Sequence, residues 1–263
     1  MIENYVVVGD QHGNFIYMLQ NLQLDSYNPE TTAIIALGDF GLNFYLNRTD
    51  EKKKAMLQNR GYIYYLVRGN HEARPEDLPN IKNIWDDEIC GHVWIEEAYP
   101  NIRYLKDGHS YKFGDYSCLV LGGAYSVDKE YRLLNKWPWF YNEMLTQDEM
   151  DNILETVKGA NFDFILSHTC PISWEPRDLF LPMIDQSKVD KSMEKFLEEI
   201  EKNVGWKYYL FGHYHDDRLV RPGVEMFYHR IDNIENIVTR WMKYDKTGEL
   251  PEGYVCDPNF FVK

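Results

Sequence analysis

The strongest constraint in this sequence is a recurring motif: a short apolar run, then a glycine, then a polar residue able to bind a cation. Tyr5-Val6-Val7-Val8 leads into Gly9-Asp10-Gln11-His12-Gly13, and Ala33-Ile34-Ile35-Ala36-Leu37 leads into Gly38-Asp39. Tyr62 to Val67 leads, through Arg68, into Gly69-Asn70-His71-Glu72. Runs of this length and β-branched content read as buried strands. Between them, Phe15, Met18, Leu19 and Leu22 recur at helical spacing, and about Thr49 to Arg60 reads as a polar-faced helix with Gly61 just past its end. Strand–helix–strand–helix–strand is the pattern of parallel βαβ units, an α/β class in which ligands sit beyond the carboxyl ends of the strands. The glycine turns fall at those ends.

Farther along, His109 to Phe113 and Tyr116 to Leu121 read as strands joined by Gly114-Asp115, and Gly122-Gly123 closes the second. Asn135 to Tyr141 reads as an aromatic, proline-bearing loop. Thr146-Gln147-Asp148-Glu149 is a capping box before a helix that ends near Gly159. Phe162 to Leu166 is expected to be a strand ending in Ser167-His168, Val189 to Val204 a charged helix, and Lys207 to Phe211 a strand ending in Gly212-His213. Short strand-like pieces follow, including Val224 to Ile231, and the turn-rich stretch from Lys243 is expected to be a loosely packed tail. With no internal repeat and no low-complexity linker, the 263 residues are expected to form one domain.

Composition narrows the function. The chain is 44% hydrophobic with 20 Tyr, well outside the range of disordered sequences. Its formal net charge of -14 gives no global attraction for polyanions such as duplex DNA, so a phosphate substrate would need a local source of positive charge. Bound cations can be that source. Cys90, Cys118, Cys170 and Cys256 form no CxxC pair, which argues against a zinc knuckle or redox motif and for reduced thiols in a cytoplasmic protein. The first residues run straight into a strand pattern without a signal-peptide pattern, and no apolar run is long enough to span a membrane.

The chemistry sits in five polar clusters at strand ends: Asp10-Gln11-His12, Asp39, Asn70-His71-Glu72, His168, and His213-Tyr214-His215. Imidazole with carboxylate suits metals of intermediate hardness. A dinuclear site needs about seven or eight ligand positions, with the ions ~3.5–4 Å apart. Asp10, His12, Asp39, Asn70, His168, His213 and His215 supply that number. A pair of dications would leave net positive charge after Asp10 and Asp39 are counted. An aspartate after a strand is by itself a turn former, and it is the accompanying histidines that favour ligation. His213 and His215 alternate, so both can be ligands only in a turn or flanking two metals. Glu72 is expected to be structural, Cys170 to pack, and His92, His109 and His229 to lie outside any site. Trp137, Trp139, Phe140 and Tyr141 read as packing, with a cleft wall as the alternative.

Taken in order, Gly9-Asp10-Gln11-His12-Gly13, Gly38-Asp39, Gly69-Asn70-His71-Glu72, His168 and Gly212-His213-Tyr214-His215 resemble the motifs of the calcineurin-like metallophosphoesterase superfamily, and they span residues 9 to 215. That resemblance implies a four-layer α/β/β/α sandwich with metals at the strand ends. Asp10, His12 and His215 would hold one ion, Asn70, His168 and His213 the other, and Asp39 would bridge. His71 would protonate the leaving oxygen or stabilise its charge, and a metal-bridging water would be the nucleophile. The metals would be Mn²⁺ first, with Fe, Zn²⁺ or Ni²⁺ also accepting this ligand set. The substrate would be a phosphorylated small molecule, a nucleotide or a phosphoprotein. The protein-phosphatase branch carries Asp-Arg in the turn after the second-block aspartate, where this chain has Leu42 and Asn43. The Asp would orient the catalytic histidine and the Arg would contact phosphate. Arg68 before Gly69 does match that branch, and Arg74 or Arg132 is expected to take over the phosphate contact. The alternative function is a non-catalytic scaffold stabilised by metal, which loss of ligands or of His71 would signal; neither is lost.

Overall fold

The computed structural model describes residues 1–250. The three leading apolar runs become β1 (Asn4–Val8), β2 (Thr32–Ala36) and β3 (Ile63–Leu66), joined through helices α1 (Ile16–Leu24) and α2 (Arg48–Gln58). They lie parallel and in step, with Val8 beside Ala36 and Ala36 beside Leu66, so their carboxyl ends share one edge. The chain then makes β4 (Ile81–Asp86), β5 (Gly91–Glu96) and β6 (Ile102–Tyr104), of which β6 runs parallel to β3 while β5 pairs antiparallel with both β4 and β6.

The second sheet begins with the expected hairpin, β7 (Ser110–Phe113) and β8 (Tyr116–Leu121), followed by helices α3 (Lys129–Leu134) and α4 (Gln147–Val157). Thr146 and Glu149 form the expected capping box at the start of α4. Next come β9 (Phe164–Ser167), α5 (Ser192–Asn203), β10 (Tyr208–Phe211), β11 (Arg218–Arg221), β12 (Val224–Met226), β13 (Ile231–Asn233) and α6 (Ile234–Thr247). The strand orders are β13-β1-β2-β3-β6-β5-β4 in one sheet and β11-β12-β10-β9-β8-β7 in the other. The fold is therefore mixed α/β with two sheets.

Period-2 side-chain alternation sorts the strand residues into separate apolar clusters. Val7, Ile35 and Tyr65 meet Val120, Leu166 and Leu210 of the other sheet in one cluster, which the Trp241 face of α6 closes. Val6, Ile34 and Tyr64 point the other way, onto Met18 and Leu22 of α1 and Leu57 of α2. Leu119, Ile165 and Tyr209 pack on Met150 of α4 and on Phe196 and Ile200 of α5.

Several elements differ from expectation. β4, β5 and β6 lie in a stretch where no strand was expected, because their charged and half-exposed residues dilute the apolar signal. Helix α3 precedes the aromatic loop. Residues 243–247 continue helix α6, with Tyr244 packed against the core, instead of starting a loose tail. The rest of that expected tail, including Cys256, lies largely outside the described residues. Among the described residues, no helix is long and apolar enough to cross a membrane.

Phe164 is fully buried between the rings of Tyr116 and Tyr208, at centroid distances of 5.7 and 4.9 Å. Phe164→Ala should cost about 3–5 kcal/mol, read as a lower urea midpoint at unchanged m-value.

Candidate metal centre

Parallel strands in step deliver the residues that follow them to one place. The two sheets are stitched together at this edge by polar bonds. The backbone N–H of His213 donates to Asp10 Oδ1 at 3.0 Å, and Nδ1 of His168 donates to the Leu37 carbonyl at 2.8 Å. Asp39 Oδ1 accepts from the backbone N–H of His71 at 2.8 Å. The approach is too close for side chains at two glycines. A Cβ on Gly69 would lie 1.9 Å from Asp39 Oδ1, and one on Gly38, whose φ is +98°, would lie 2.1 Å from His168 Nδ1.

Four candidate ligands sit in the left-handed region: His12 at φ 47°, Asp39 at 45°, His213 at 72° and His215 at 55°. Each such residue costs roughly 1–3 kcal/mol, and strain of this kind gathers at functional sites. His213 and His215 therefore occupy a turn, the condition under which both can face one centre.

The donor atoms converge. Among the described residues, three sets have ligand atoms within 4.8 Å of one another: Asp10, His12 and His215; His12, Asp39 and His71; and Asp10, Asp39 and His168. Nε2 of His12 and Nε2 of His215 are 2.9 Å apart. Asp10 Oδ2 is buried with no hydrogen-bond partner, 3.4 Å from His215 Nε2. His168 Nε2 lies 2.8 Å from Asn70 Oδ1 and 3.6 Å from Asp39 Oδ2. The Asn70 amide nitrogen is already committed to Ser126 Oγ at 2.9 Å. With Nδ1 of His168 holding its proton for Leu37, a neutral ring would set lone pair against lone pair at Asn70. Only a proton or a cation between them resolves that contact. The orphaned carboxylate oxygen, the facing lone pairs and the mixed oxygen and nitrogen set all fit divalent cations of intermediate hardness.

Without a cation, protons take that role. Burial would lower the His168 pKa, yet Asp39 beside it raises it to about 9. Burial opposes ionisation of Asp39 too, but His168 and His71 hold it well below the ordinary carboxylate range. His213 is outside the three sets, with its ring centroid 5.0 Å from that of His168; burial pushes its pKa down to about 3, leaving a neutral ring.

His71 borders the cluster, half-buried, with its ring stacked on Phe44 at 6.2 Å and Nε2 3.8 Å from Asp128 Oδ1. Burial lowers its pKa. Glu72 is 3% exposed and accepts from the backbone N–H groups of Gly41 and Leu42, bracing the turn after Asp39.

The two arginines do not take the expected position. Arg74 folds away from the cluster: its guanidinium pairs with Glu149 at 2.6 Å and donates to the carbonyls of Asn142 and Met144. Arg132 lies behind His71 but is 0% exposed, so a phosphate cannot reach it. It donates to Ser126 Oγ at 2.9 Å and to the Pro138 carbonyl at 2.8 Å. Their closeness to the motifs in sequence did not give the direction of their side chains. Ser126, Asp128 and Glu143 were not singled out from sequence at all, although the Gly122-Gly123 turn marks one more strand end beside them.

Two cavities meet at His71. One, of about 420 Å³, has Asp39, Asn70 and His213 at one end and an apolar wall of Tyr125, Leu179, Phe180, Ile184 and Val189. The other, of about 360 Å³, is lined by His12, Asn14, Phe44, Tyr45 and Lys53.

An α/β fold with carboxylate, amide and imidazole donors gathered at its strand ends is that of a metal-binding hydrolase. The sequence profile of the calcineurin-like phosphoesterases matches residues 4–217, and the chain belongs to that family. One solved structure aligns with a TM-score of 0.51 at 14% identity, covering 90% of this chain and 96% of the other. A phosphopantetheinyl hydrolase from Mycobacterium tuberculosis aligns with a TM-score of 0.42 at 14% identity, covering 97% of each chain. No curated protein matches in sequence.

Gly38→Ala should weaken divalent-cation binding, read by titration calorimetry with Mn²⁺ as the probe, because the new methyl group displaces the His168 ring. A second prediction concerns Glu194, which lines the larger cavity at 3% exposure and whose pKa burial raises from 4.5 to about 7. The folded chain keeps this proton up to about pH 7, while the unfolded chain releases it near 4.5, so the contribution to stability falls as pH rises through that window. Glu194→Gln should therefore gain on the wild type, by on the order of 3 kcal/mol, between the two ends of the window in urea unfolding.

Proposed function

We propose that this chain hydrolyses phosphoesters with two divalent cations, Mn²⁺ foremost, held among Asp10, His12, Asp39, Asn70, His168, His213 and His215. One observation carries the reading: separated strand ends bring Asp10, Asp39 and His168 ligand atoms within 4.8 Å, with a buried carboxylate oxygen left unpartnered. Cations bound there would supply Lewis acidity and an acidified water. The chain's own residues do the rest. Asp39 holds the backbone N–H of His71, placing that ring at the junction of the two cavities. His71, entering the step protonated from solvent, delivers that proton to the leaving oxygen, and burial, which lowers its pKa, makes the ring a readier donor.

The apolar wall of the larger cavity suits an alcohol group with an aromatic or aliphatic body. The net charge of -14 disfavours a grip on duplex nucleic acid. Nucleotides, phosphorylated small molecules and phosphopeptides remain within this substrate class.

With added Mn²⁺ the protein should hydrolyse p-nitrophenyl phosphate or bis-p-nitrophenyl phosphate, and the ratio of the two rates assigns it as a mono- or diesterase. Chelator should abolish turnover. His71→Ala should lower kcat by about 10²–10⁴-fold while Mn²⁺ still binds. A protein that binds Mn²⁺ but turns over nothing in a broad phosphoester panel would be a scaffold instead.

A further inference from the structure

The turn after Asp39 has no carboxylate to orient His71. Leu42 is apolar and fully buried, and Asn43 is buried beside it with its amide atoms unpartnered. A carboxylate reaches His71 from elsewhere. Asp128, just before α3, puts Oδ1 3.8 Å from His71 Nε2, and that oxygen accepts no hydrogen bond from any other group. Behind it stands Arg132, one helical turn on, with Nη1 3.7 Å from the same oxygen. A fully buried guanidinium needs an anionic partner, and an arginine without surface cannot serve the substrate directly.

The same Nη1 donates to Ser126 Oγ at 2.9 Å. Ser126 spends its one proton on Glu143 Oε2 at 2.6 Å, which leaves its lone pairs for Arg132 and for the Asn70 amide at 2.9 Å. That last bond ties off the Asn70 nitrogen and leaves Oδ1 facing His168 in the candidate metal centre. One arginine thus braces both the group behind His71 and the group behind Asn70. Its face also lies over the Phe44 ring, on which His71 stacks.

We propose that Ser126, Asp128 and Arg132, delivered by the chain after β8, are positioning residues, with Asp128 supplying the carboxylate that the turn after Asp39 lacks. Asp128 orients His71, Ser126 orients Asn70, and Arg132 locks the two together. The 3.8 Å separation of Asp128 and His71 is a charge contact, and contacts of this kind commonly tighten once substrate is bound.

The inference rests on His71 acting in phosphoester hydrolysis, and the test separates the two ideas. Asp128→Asn should lower kcat at least tenfold with KM and Mn²⁺ affinity unchanged in protein that is still folded, and Asp128→Glu should restore part of the loss. In a His71→Asn background, Asp128→Asn should cost nothing further. Ser126→Ala should weaken Mn²⁺ binding in calorimetry, a readout independent of turnover. Arg132→Lys keeps the charge but not the planar fork, so it should lower kcat and Mn²⁺ affinity together. If Asp128→Asn retains full kcat while His71→Asn is crippled, or if the two losses simply multiply, this inference is overturned and the hydrolase reading stands. A fully active His71→Asn removes both.

Discussion

The arrangement depends on crowding electron-rich atoms at one sheet edge with too few protons between them. Asp10 Oδ2 is buried without a hydrogen-bond donor, and Nε2 of His12 and Nε2 of His215 share a single proton position at 2.9 Å. His168 Nε2 faces an amide oxygen. Such a cluster must take up protons, as His168 does, or a cation, because buried unpaired polar groups and charges are strongly destabilising. It persists because the rest of the fold over-determines it. The strands on both sides are parallel and in register, their cores are closed, and glycines such as Gly38 and Gly69 remove atoms that would keep the turns apart. The strain at His12, Asp39, His213 and His215 has the same origin.

This concentration of donors also reconciles the charge of the molecule with its family chemistry. The protein as a whole repels phosphate, yet cations held at the candidate centre would turn one small region positive. Both cavities open on that region through His71, so whatever substrate enters would meet the cations and the proposed proton donor together. The surrounding acidity would act as a filter against long polyanions rather than against single phosphoryl groups.

Much of the site could be read in the sequence because each candidate ligand follows a continuous apolar run, and such runs leave little choice of structure. Asp10, Asp39, Asn70 and His168 each come within four residues of the end of a strand. The strands at the far edge were invisible for the opposite reason. In β4, the exposed Lys82, Asn83 and Trp85 break any strict alternation with the half-buried Ile81 and Ile84, a pattern that single-sequence reading cannot separate from loop. Arg74 and Arg132 show a different limit. Chain position told how near they lie to the motifs, but side-chain direction is set by partners far away in sequence, such as Glu149 for Arg74. Asp128 was missed because it follows two glycines and four further residues instead of ending an apolar run.

The return of the chain to the first sheet has a consequence for where this folding unit stops. The family signature closes at residue 217, but β13 pairs with β1 and so occupies what would otherwise be a bare edge of the sheet. The carbonyl of Phe227 presses against Gly9, where a Cβ would come within 2.2 Å, and the Tyr228 ring lies flat on His215 at 4.8 Å. The stretch beyond the signature is therefore a buttress for the Asp10 and His215 turns. A ligand, partner or modification that lifted β13 would loosen the candidate metal edge without touching a single donor atom.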